Sequence, residues 1–242
     1  MTYCVAMNLD AGLVFLSDSR TNAGVDHIQT FRKMAVWERT GERALVMLTA
    51  GNLSVSQSVV NLLNEHLCSV DTPNIYNATN MFEVARRVGE AVREVDRRDA
   101  ASLKEFGVEF NASLIIGGQI RGEAPRLFHV YAAGNFIETS DDTPYFQIGE
   151  AKYGKPIIDR IIRRSTPLQD AAKCALVSMD STIRSNLSVG LPLDLCVIER
   201  DALAIKSRVS ITYDHAYFAQ VRSQWGERLR DAFTALPGPE WL

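Results

Sequence analysis

The sequence predicts an α+β protein in which two antiparallel sheets are covered by pairs of helices. Strands and helices are segregated along the chain: strands, two helices, strands, two helices, strands and a last helix. This order differs from the strand–helix alternation of Rossmann folds and TIM barrels. The 242 residues are 46% hydrophobic and 23% charged, which is typical of a globular domain that buries its own core. Because no repeat, low-complexity tract or linker interrupts the pattern, residues 1–242 are predicted to form a single domain.

The first four strands are predicted from apolar runs separated by turns. Residues 3–9 alternate, and a second run at 13–16 follows the turn signal Asp10-Ala11-Gly12, which together predict a hairpin. Further strands are expected at 33–38 and 44–49. A strand that begins at residue 2 or 3 would lie inside the architecture, although most chain ends fray.

Helical periodicity begins after Gly51. Apolar residues at positions 55, 59, 62 and 63 share one helical face, and Met81, Ala85, Val88 and Val92 share another. Asn80 or Thr79 could cap the second helix. The later elements are strands at 111–117, 126–132 and 145–148, helices around 157–162 and 168–183, a strand pair at 193–199 and 202–207, and a helix at about 213–235.

Two features of the C-terminal segment have alternative interpretations. The apolar stripe Val221, Trp225 and Leu229 is expected to pack within the subunit, and packing between subunits is the alternative. The short tail 236–242 is either disordered or a clip onto a neighbouring subunit.

Charge and cysteine usage exclude several classes of protein. The formal net charge is −3 with histidines neutral, so no strong field attracts nucleic acid or an anionic membrane. The longest stretch without charge, 44–64, is too polar to span a bilayer, and the N-terminus lacks a signal-peptide pattern. The cysteines, which form no CxxC pair, are predicted to be buried free thiols, and a cytoplasmic location is expected. They are Cys4, Cys68, Cys174 and Cys196.

The residue after Met1 is a candidate nucleophile. Removal of the initiator methionine before a small residue such as Thr2 would leave a hydroxyl and a free α-amine on one residue. The α-amine has a pKa of about 7.7–8.0, which suits a general base. A single residue then supplies both nucleophile and base.

Three further residues in the first 51 could assist this chemistry. A lysine such as Lys33 near the hydroxyl would lower its pKa, and Asp18 would hold that lysine charged. Gly51, at a strand-to-helix junction, could present its N–H to an oxyanion. The structural alternatives are an Asp18–Arg20 ion pair, a surface edge lysine at position 33 and a plain turn at Gly51.

The arrangement of these residues resembles the proteasome β-subunit family of N-terminal-nucleophile hydrolases. The resemblance spans essentially the whole chain in order of elements. Its specific part is Thr2, the segment Asp18-Ser19-Arg20, Lys33 and Ala50-Gly51. The segments at 148–154 and 185–190 are similar to Anbu, the bacterial proteasome-related branch.

The resemblance implies a four-layer αββα sandwich and assigns roles to individual residues. Thr2 is the nucleophile and, through its amine, the base; Lys33 tunes its hydroxyl, Asp18 positions Lys33, and the Gly51 N–H forms the oxyanion hole. Ser188 matches a serine of the family pattern. The implied walls of the specificity pocket, which would favour an apolar side chain before the scissile bond, are Thr21, Phe31, Thr49 and Leu53.

Two departures from the family pattern concern the terminal amine. Glu150 stands where active subunits carry a serine, and it could take over that role or pair with Lys152. Ser185 stands where they carry an aspartate. Asp180 could substitute for that aspartate, although an acid on a helix face is the simpler interpretation.

The resemblance implies a threonine-type peptidase that acts on peptides or unfolded polypeptides. The alternatives are an inactive proteasome-like scaffold and an amidohydrolase for small substrates, since one fold hosts many functions. A homo-oligomer, either a ring or an open or helical assembly, is implied. No metal or organic cofactor is expected, and because the chain has no Walker loop, ATP-driven unfolding would need a separate partner.

Overall fold

A computed structural model describes residues 1–22, 28–69 and 71–241, and within these ranges it contains twelve strands and five helices. The strands are β1 (Tyr3–Leu9), β2 (Gly12–Asp18), β3 (Arg20–Asn22), β4 (Ile28–Thr30), β5 (Met34–Arg39), β6 (Arg43–Gly51), β7 (Ala112–Ile120), β8 (Arg126–Val130), β9 (Phe136–Glu138), β10 (Tyr145–Gly149), β11 (Leu193–Glu199) and β12 (Ser207–Ile211). The helices are α1 (Leu53–His66), α2 (Met81–Glu105), α3 (Ala151–Ile161), α4 (Leu168–Ser185) and α5 (Ala216–Thr234). The α+β class is confirmed.

All strand pairs in the described ranges are antiparallel. They form one sheet in the order β10-β1-β2-β11-β12, a second in the order β5-β6-β7-β8-β9, and the ribbon β3-β4. The predicted N-terminal hairpin is confirmed, with Leu9 opposite Gly12 and Cys4 opposite Ser17. Because β1 lies between β10 and β2, the N-terminal strand is an inner strand of its sheet. Thr2 is the residue immediately before this strand.

Three apolar clusters hold the sheets and helices together. Each five-stranded sheet packs against helices on one face and against the other five-stranded sheet on the opposite face. The first packs α1 and α2 on the sheet β5–β9, through residues such as Val59, Val88 and Ile116. The second lies between the two five-stranded sheets and includes Phe15 and Ile115. The third packs α3 and α4 on the sheet that holds β1 and β2. Every residue of β1 and β2 is buried because both of their faces are covered.

The helix boundaries follow the capping chemistry. The Asn80 side chain accepts a hydrogen bond from the Glu83 N–H, so Asn80 is the cap of α2. Asn52 caps α1 in the same way through Ser54 N. Within the described ranges, every helix is too short or too polar to span a lipid bilayer.

The prediction of a strand at 202–207 after a two-residue turn is wrong. The pairing with β11 begins only at Ser207, opposite Val197. Asp201 and Leu203 adopt left-handed backbone conformations with φ of 64° and 48°, which widens the connection. The side chain of Gln119 from the other sheet bonds both the backbone and the carboxylate of Asp201, so a contact distant in sequence decides this turn.

The prediction that the α5 stripe packs within the subunit is wrong for its outer part. Phe218 is buried on α4, while Val221 and Trp225 are half-buried and Leu229 is 55% exposed. The stripe continues past the region where α5 packs on α4, so its last turns have no cover from the described part of the chain. The tail is exposed through Trp241, and Leu242 lies outside the described residues.

One cysteine departs from the prediction of buried thiols. Cys4, Cys174 and Cys196 are buried, but Cys68 is exposed just after the end of α1. The side chain of Cys68 is exposed because α1 ends at His66, before the chain reaches this residue.

Candidate active site

A buried ion pair joins the ends of the first two hairpins. Asp18, the last residue of β2, accepts a hydrogen bond at Oδ1 from Lys33 Nζ at 2.8 Å. The Lys33 Nζ also donates to the Arg20 carbonyl oxygen at 2.6 Å. Asp18 is fully buried and Lys33 is 6% exposed, so Lys33 is not a surface edge lysine, and Asp18 pairs with Lys33 rather than Arg20.

Burial raises the pKa of Asp18, while the adjacent Lys33 ammonium and the N–H of Tyr3 oppose that shift. The Tyr3 N–H donates to Asp18 Oδ1 at 3.0 Å. The carboxylate therefore bonds both the ammonium of Lys33 and the backbone next to Thr2. This geometry suits an aspartate that positions a lysine beside the start of the chain.

The backbone of Thr2 is held by the strand on its other side. The Glu150 N–H donates to the Thr2 carbonyl oxygen at 2.7 Å. Gly149 has φ of +79°, and a Cβ there would overlap the Thr2 carbonyl. Position 149 therefore requires glycine for two reasons, its conformation and its closeness to Thr2.

Gly51 ends β6 at the entrance to α1, as predicted. The neighbouring Asn52 N–H donates to the Asn111 carbonyl oxygen at 2.9 Å, which fixes the junction between β6 and α1 against β7. The junction thus has a defined backbone geometry, which an oxyanion donor needs.

These residues surround one open cavity of about 490 Å³, here called the Thr2 cavity. It brings together three of the predicted catalytic residues, Thr2, Lys33 and Gly51. Three of the four predicted wall residues, Thr21, Thr49 and Leu53, also line it. The fourth, Phe31, is half-buried and does not line the cavity; its N–H bonds the Ser19 carbonyl.

Solved structures with the same fold identify the family. An Anbu (ancestral beta-subunit) from Yersinia bercovieri is 54% identical, with a TM-score of 0.93, over 99% of this chain and 100% of that one. Anbu from Hyphomicrobium sp. strain MC1 is 48% identical, with a TM-score of 0.91, over 99% and 100%. The chain belongs to the Anbu family. Neither a scan against models of protein families nor a search of curated proteins gave a match.

A third relative is described by its assembly. The helical assembly of the Anbu complex from Pseudomonas aeruginosa is formed by a chain 51% identical to this one, with a TM-score of 0.93 and 98% of each chain covered. Anbu proteins are related to proteasome β-subunits, so the family resemblance drawn from Thr2, Asp18, Lys33 and Gly51 is confirmed.

The two departures from the proteasome pattern have different surroundings. In this Anbu chain, Glu150 lines the Thr2 cavity, and its carboxylate lies 3.8 Å from Lys152. Asp180 is buried in an ion-pair network, accepting from Arg184 at 2.9 Å and from Arg222 at 2.7 Å. Asp180 therefore joins α4 to α5, and it does not line the Thr2 cavity.

Ser188 is half-buried in the loop after α4, where its N–H donates to Asn186 Oδ1. It does not line the Thr2 cavity. The structure thus gathers Thr2, Lys33 and Gly51 at one cavity with Asp18 directly behind, and leaves Ser188 outside the lining.

Arg20 is a residue whose role sequence reasoning missed. Its guanidinium donates to the Leu187 carbonyl at 3.1 Å and to the Tyr213 hydroxyl at 2.8 Å, and it packs against Gly190. Its own carbonyl accepts the Lys33 ammonium. Arg20 therefore ties the lysine to the loop that carries Ser188. Partners 167 and 193 positions away leave no local signal in the sequence.

Proposed function

We propose that this Anbu-family protein is a threonine-type peptidase with Thr2 as its nucleophile. The observation that carries the proposal is the buried Lys33–Asp18 pair, whose lysine lines the same cavity as Thr2. A buried ion pair is costly to keep unless its geometry is excellent. A lysine held in this way beside a hydroxyl favours the ionised hydroxyl.

The reaction needs Met1 to be removed first. Met1 precedes Thr2 in the structure and lines the cavity, so the Thr2 nitrogen is an amide with no basic lone pair. After removal, the amine would accept the hydroxyl proton while Oγ attacks the peptide carbonyl carbon. The Gly51 N–H would stabilise the oxyanion.

The first half of the reaction ends when the amine returns the proton to the leaving peptide amine and an ester remains on Thr2. Water, deprotonated by the same amine, then attacks the ester carbonyl. The ester bond breaks, the second product leaves as an acid, and Oγ recovers its proton. Lys33 and Asp18 take no proton in this scheme. They supply charge and position.

The remaining features are proposed together with this activity. Residues 1–242 form a single domain, a four-layer αββα sandwich, consistent with apolar clusters between the sheets and beneath each helix pair. The substrates are peptides or unfolded polypeptides in the cytoplasm. Ser188 stays in the proposed site because it matches the family serine, although its loop lies outside the lining of the Thr2 cavity. Any ATP-driven unfolding would come from a separate partner.

We also propose that the chain assembles with copies of itself. A relative that is 51% identical was solved as a helical assembly. The surface we assign to this contact is the exposed end of α5 together with the residues just after it, where Leu229, Phe233 and Leu236 are exposed by 55%, 77% and 66%. Contiguous exposed apolar side chains of this size are uncommon unless something covers them.

Intact mass spectrometry after incubation with a peptide epoxyketone tests the activity, because this probe reacts with both the hydroxyl and the free amine of an N-terminal threonine. We expect a mass that lacks Met1 and carries one probe, mapped to Thr2. The Thr2→Ala variant should remain unlabelled and assemble normally, and Lys33→Ala should label more slowly. Protein without Met1 that stays unlabelled would overturn the peptidase proposal.

A catalytically inactive scaffold is the second candidate. It is favoured by Ser185, which stands where active proteasome subunits carry an aspartate, and by the position of Ser188 outside the cavity lining. If Met1 is retained and no probe is attached, the scaffold or precursor becomes the leading hypothesis. A small-substrate amidohydrolase would label with the probe but cleave no peptide library.

A further inference from the structure

A second cavity opens beside the Thr2 cavity and is here called the Arg32 cavity. It has a volume of about 400 Å³ and lies between the start of β5 and the first turns of α1. It shares Lys33, Thr49, Leu53 and Ser56 with the Thr2 cavity. A peptide whose carbonyl carbon lies at Thr2 can therefore place a neighbouring side chain in the Arg32 cavity.

The polar groups of this cavity are donors or amides, and its described lining contains no carboxylate. Arg32 is exposed at its mouth, and α1 contributes Gln57 and Asn61, which lie one turn apart. The other cation, Lys33, is already paired with buried Asp18. The positive charge of Arg32 therefore has no opposite charge within the cavity.

The carboxyl group whose pKa Arg32 lowers does not line the Arg32 cavity. Asp194 is buried in β11, and although burial raises its pKa, Arg32 and Arg208 lower it. Among the described residues, Arg32 makes no ion pair within 4.0 Å. Its guanidinium is thus free of a close carboxylate partner in the described chain and can receive one from a ligand.

The N-terminus of α1 adds partial positive charge beside the Arg32 cavity. The first turn of α1 contains no acidic residue, so the partial positive charge of its N-terminus is not neutralised by its own side chains. Leu53 and Ser56 of that turn line both cavities. An anion near them is stabilised by both Arg32 and the helix.

We propose that the Arg32 cavity receives the substrate side chain on the acyl side of the scissile bond and that Arg32 selects an acidic residue there. This inference rests on the proposed peptidase function and names its substrate class. It differs from the apolar preference implied for Thr21, Phe31, Thr49 and Leu53, because Arg32 brings a positive charge to a cavity that Thr49 and Leu53 also line.

The test measures binding without catalysis. Full-length protein carrying Thr2→Ala, with Met1 removal checked by intact mass, is titrated with fluorescein-labelled tetrapeptide amides that differ only in a C-terminal Glu, Gln, Leu or Lys. Fluorescence anisotropy gives each Kd at low and high salt. Gln is the matched neutral partner of Glu, and Arg39→Ala, which removes an arginine from the far end of β5, is the matched control for Arg32→Ala.

We expect the Glu peptide to bind about fivefold more tightly than the Gln peptide, as for one accessible charge pair. Arg32→Ala should remove this ratio, Arg39→Ala should keep it, and Arg32→Glu should favour the Lys peptide. The ratio should shrink at high salt. Equal binding of Glu and Gln, tighter binding of Leu, or no binding of any peptide would overturn the inference.

The outcomes separate this inference from the proposed activity. Covalent labelling of Thr2 without any acidic preference would retain the nucleophile and reject the role of Arg32. Selective binding of the Glu peptide to protein whose Thr2 never labels would retain the acidic subsite and reject the peptidase.

Discussion

Gly149 and Thr2 lie so close that no side chain fits between them. A Cβ at position 149 would meet the carbonyl oxygen of Thr2 well inside 3.0 Å, and Gly149 has φ of +79°. The next residue donates its N–H to that same carbonyl. The position of the candidate nucleophile thus depends on β10, a strand more than 140 residues later in the chain.

We expect Gly149→Ala to displace Thr2 and to reduce epoxyketone labelling at least tenfold, because the added methyl group pushes the Thr2 backbone away. Gly122→Ala is the control, since Gly122 has φ of +87° but no described atom within 4 Å of the place its new methyl group would take. Both variants bear the left-handed strain of about 1–2 kcal/mol. Equal labelling in the two variants would mean that Thr2 tolerates the displacement.

We expect Lys33→Met to lower the free energy of unfolding by about 3–5 kcal/mol, because it leaves Asp18 buried without its partner. Lys155→Met is the matched control: Lys155 pairs with Asp159 at 2.9 Å, but both side chains are about half exposed, so its cost should stay below about 1 kcal/mol. Urea denaturation measures both. Similar losses in the two variants would show that the Asp18–Lys33 pair is not structurally important.

We expect the double variant Leu229→Glu, Phe233→Glu to weaken self-association about tenfold or more, because burial of each large apolar side chain contributes about 1.5–3 kcal/mol. Sedimentation velocity over a concentration series measures the change. Phe106→Glu is the control, since Phe106 is 83% exposed at the end of α2. An assembly unaffected by the α5 variant would move the interface elsewhere.

His129 should make stability depend on pH below neutrality. Its ring nitrogen is 2.7 Å from the Ser113 hydroxyl, and burial lowers its pKa below the usual 6.5. The unfolded chain then binds a proton before the folded chain does, so stability is lost as pH falls through the folded-state pKa, by at most about 1.4 kcal/mol per pH unit.

The variant His129→Asn should therefore lose less stability than the wild type between pH 7.5 and pH 5.0. Chemical denaturation at both pH values gives the comparison. A loss as large in His129→Asn as in the wild type would assign the acid sensitivity to other groups.

Much of the fold was predictable from local patterns. The hairpin of β1 and β2, the cap of α2, and the helical faces follow from apolar spacing, turn residues and a capping side chain. The start of β12 at Ser207 could not be predicted, because Gln119 from the other sheet fixes the turn at Asp201. The exposure of the end of α5 could not be predicted either, since an apolar stripe has the same sequence pattern whether or not another element covers it.

The candidate site was also predictable only in part. The available groups could be named from the amino-acid sequence alone, because Thr2, Asp18, Lys33 and Gly51 occur in an order and spacing with chemical meaning. Their arrangement in space came from the folded chain. Asp18 is the acid that pairs with Lys33, Arg20 ties the site to the Ser188 loop, and Arg32 lines a second cavity. These contacts could not be predicted because apolar periodicity and capping act over a few residues, whereas ion pairs and cavities join strands and helices that are far apart in the chain.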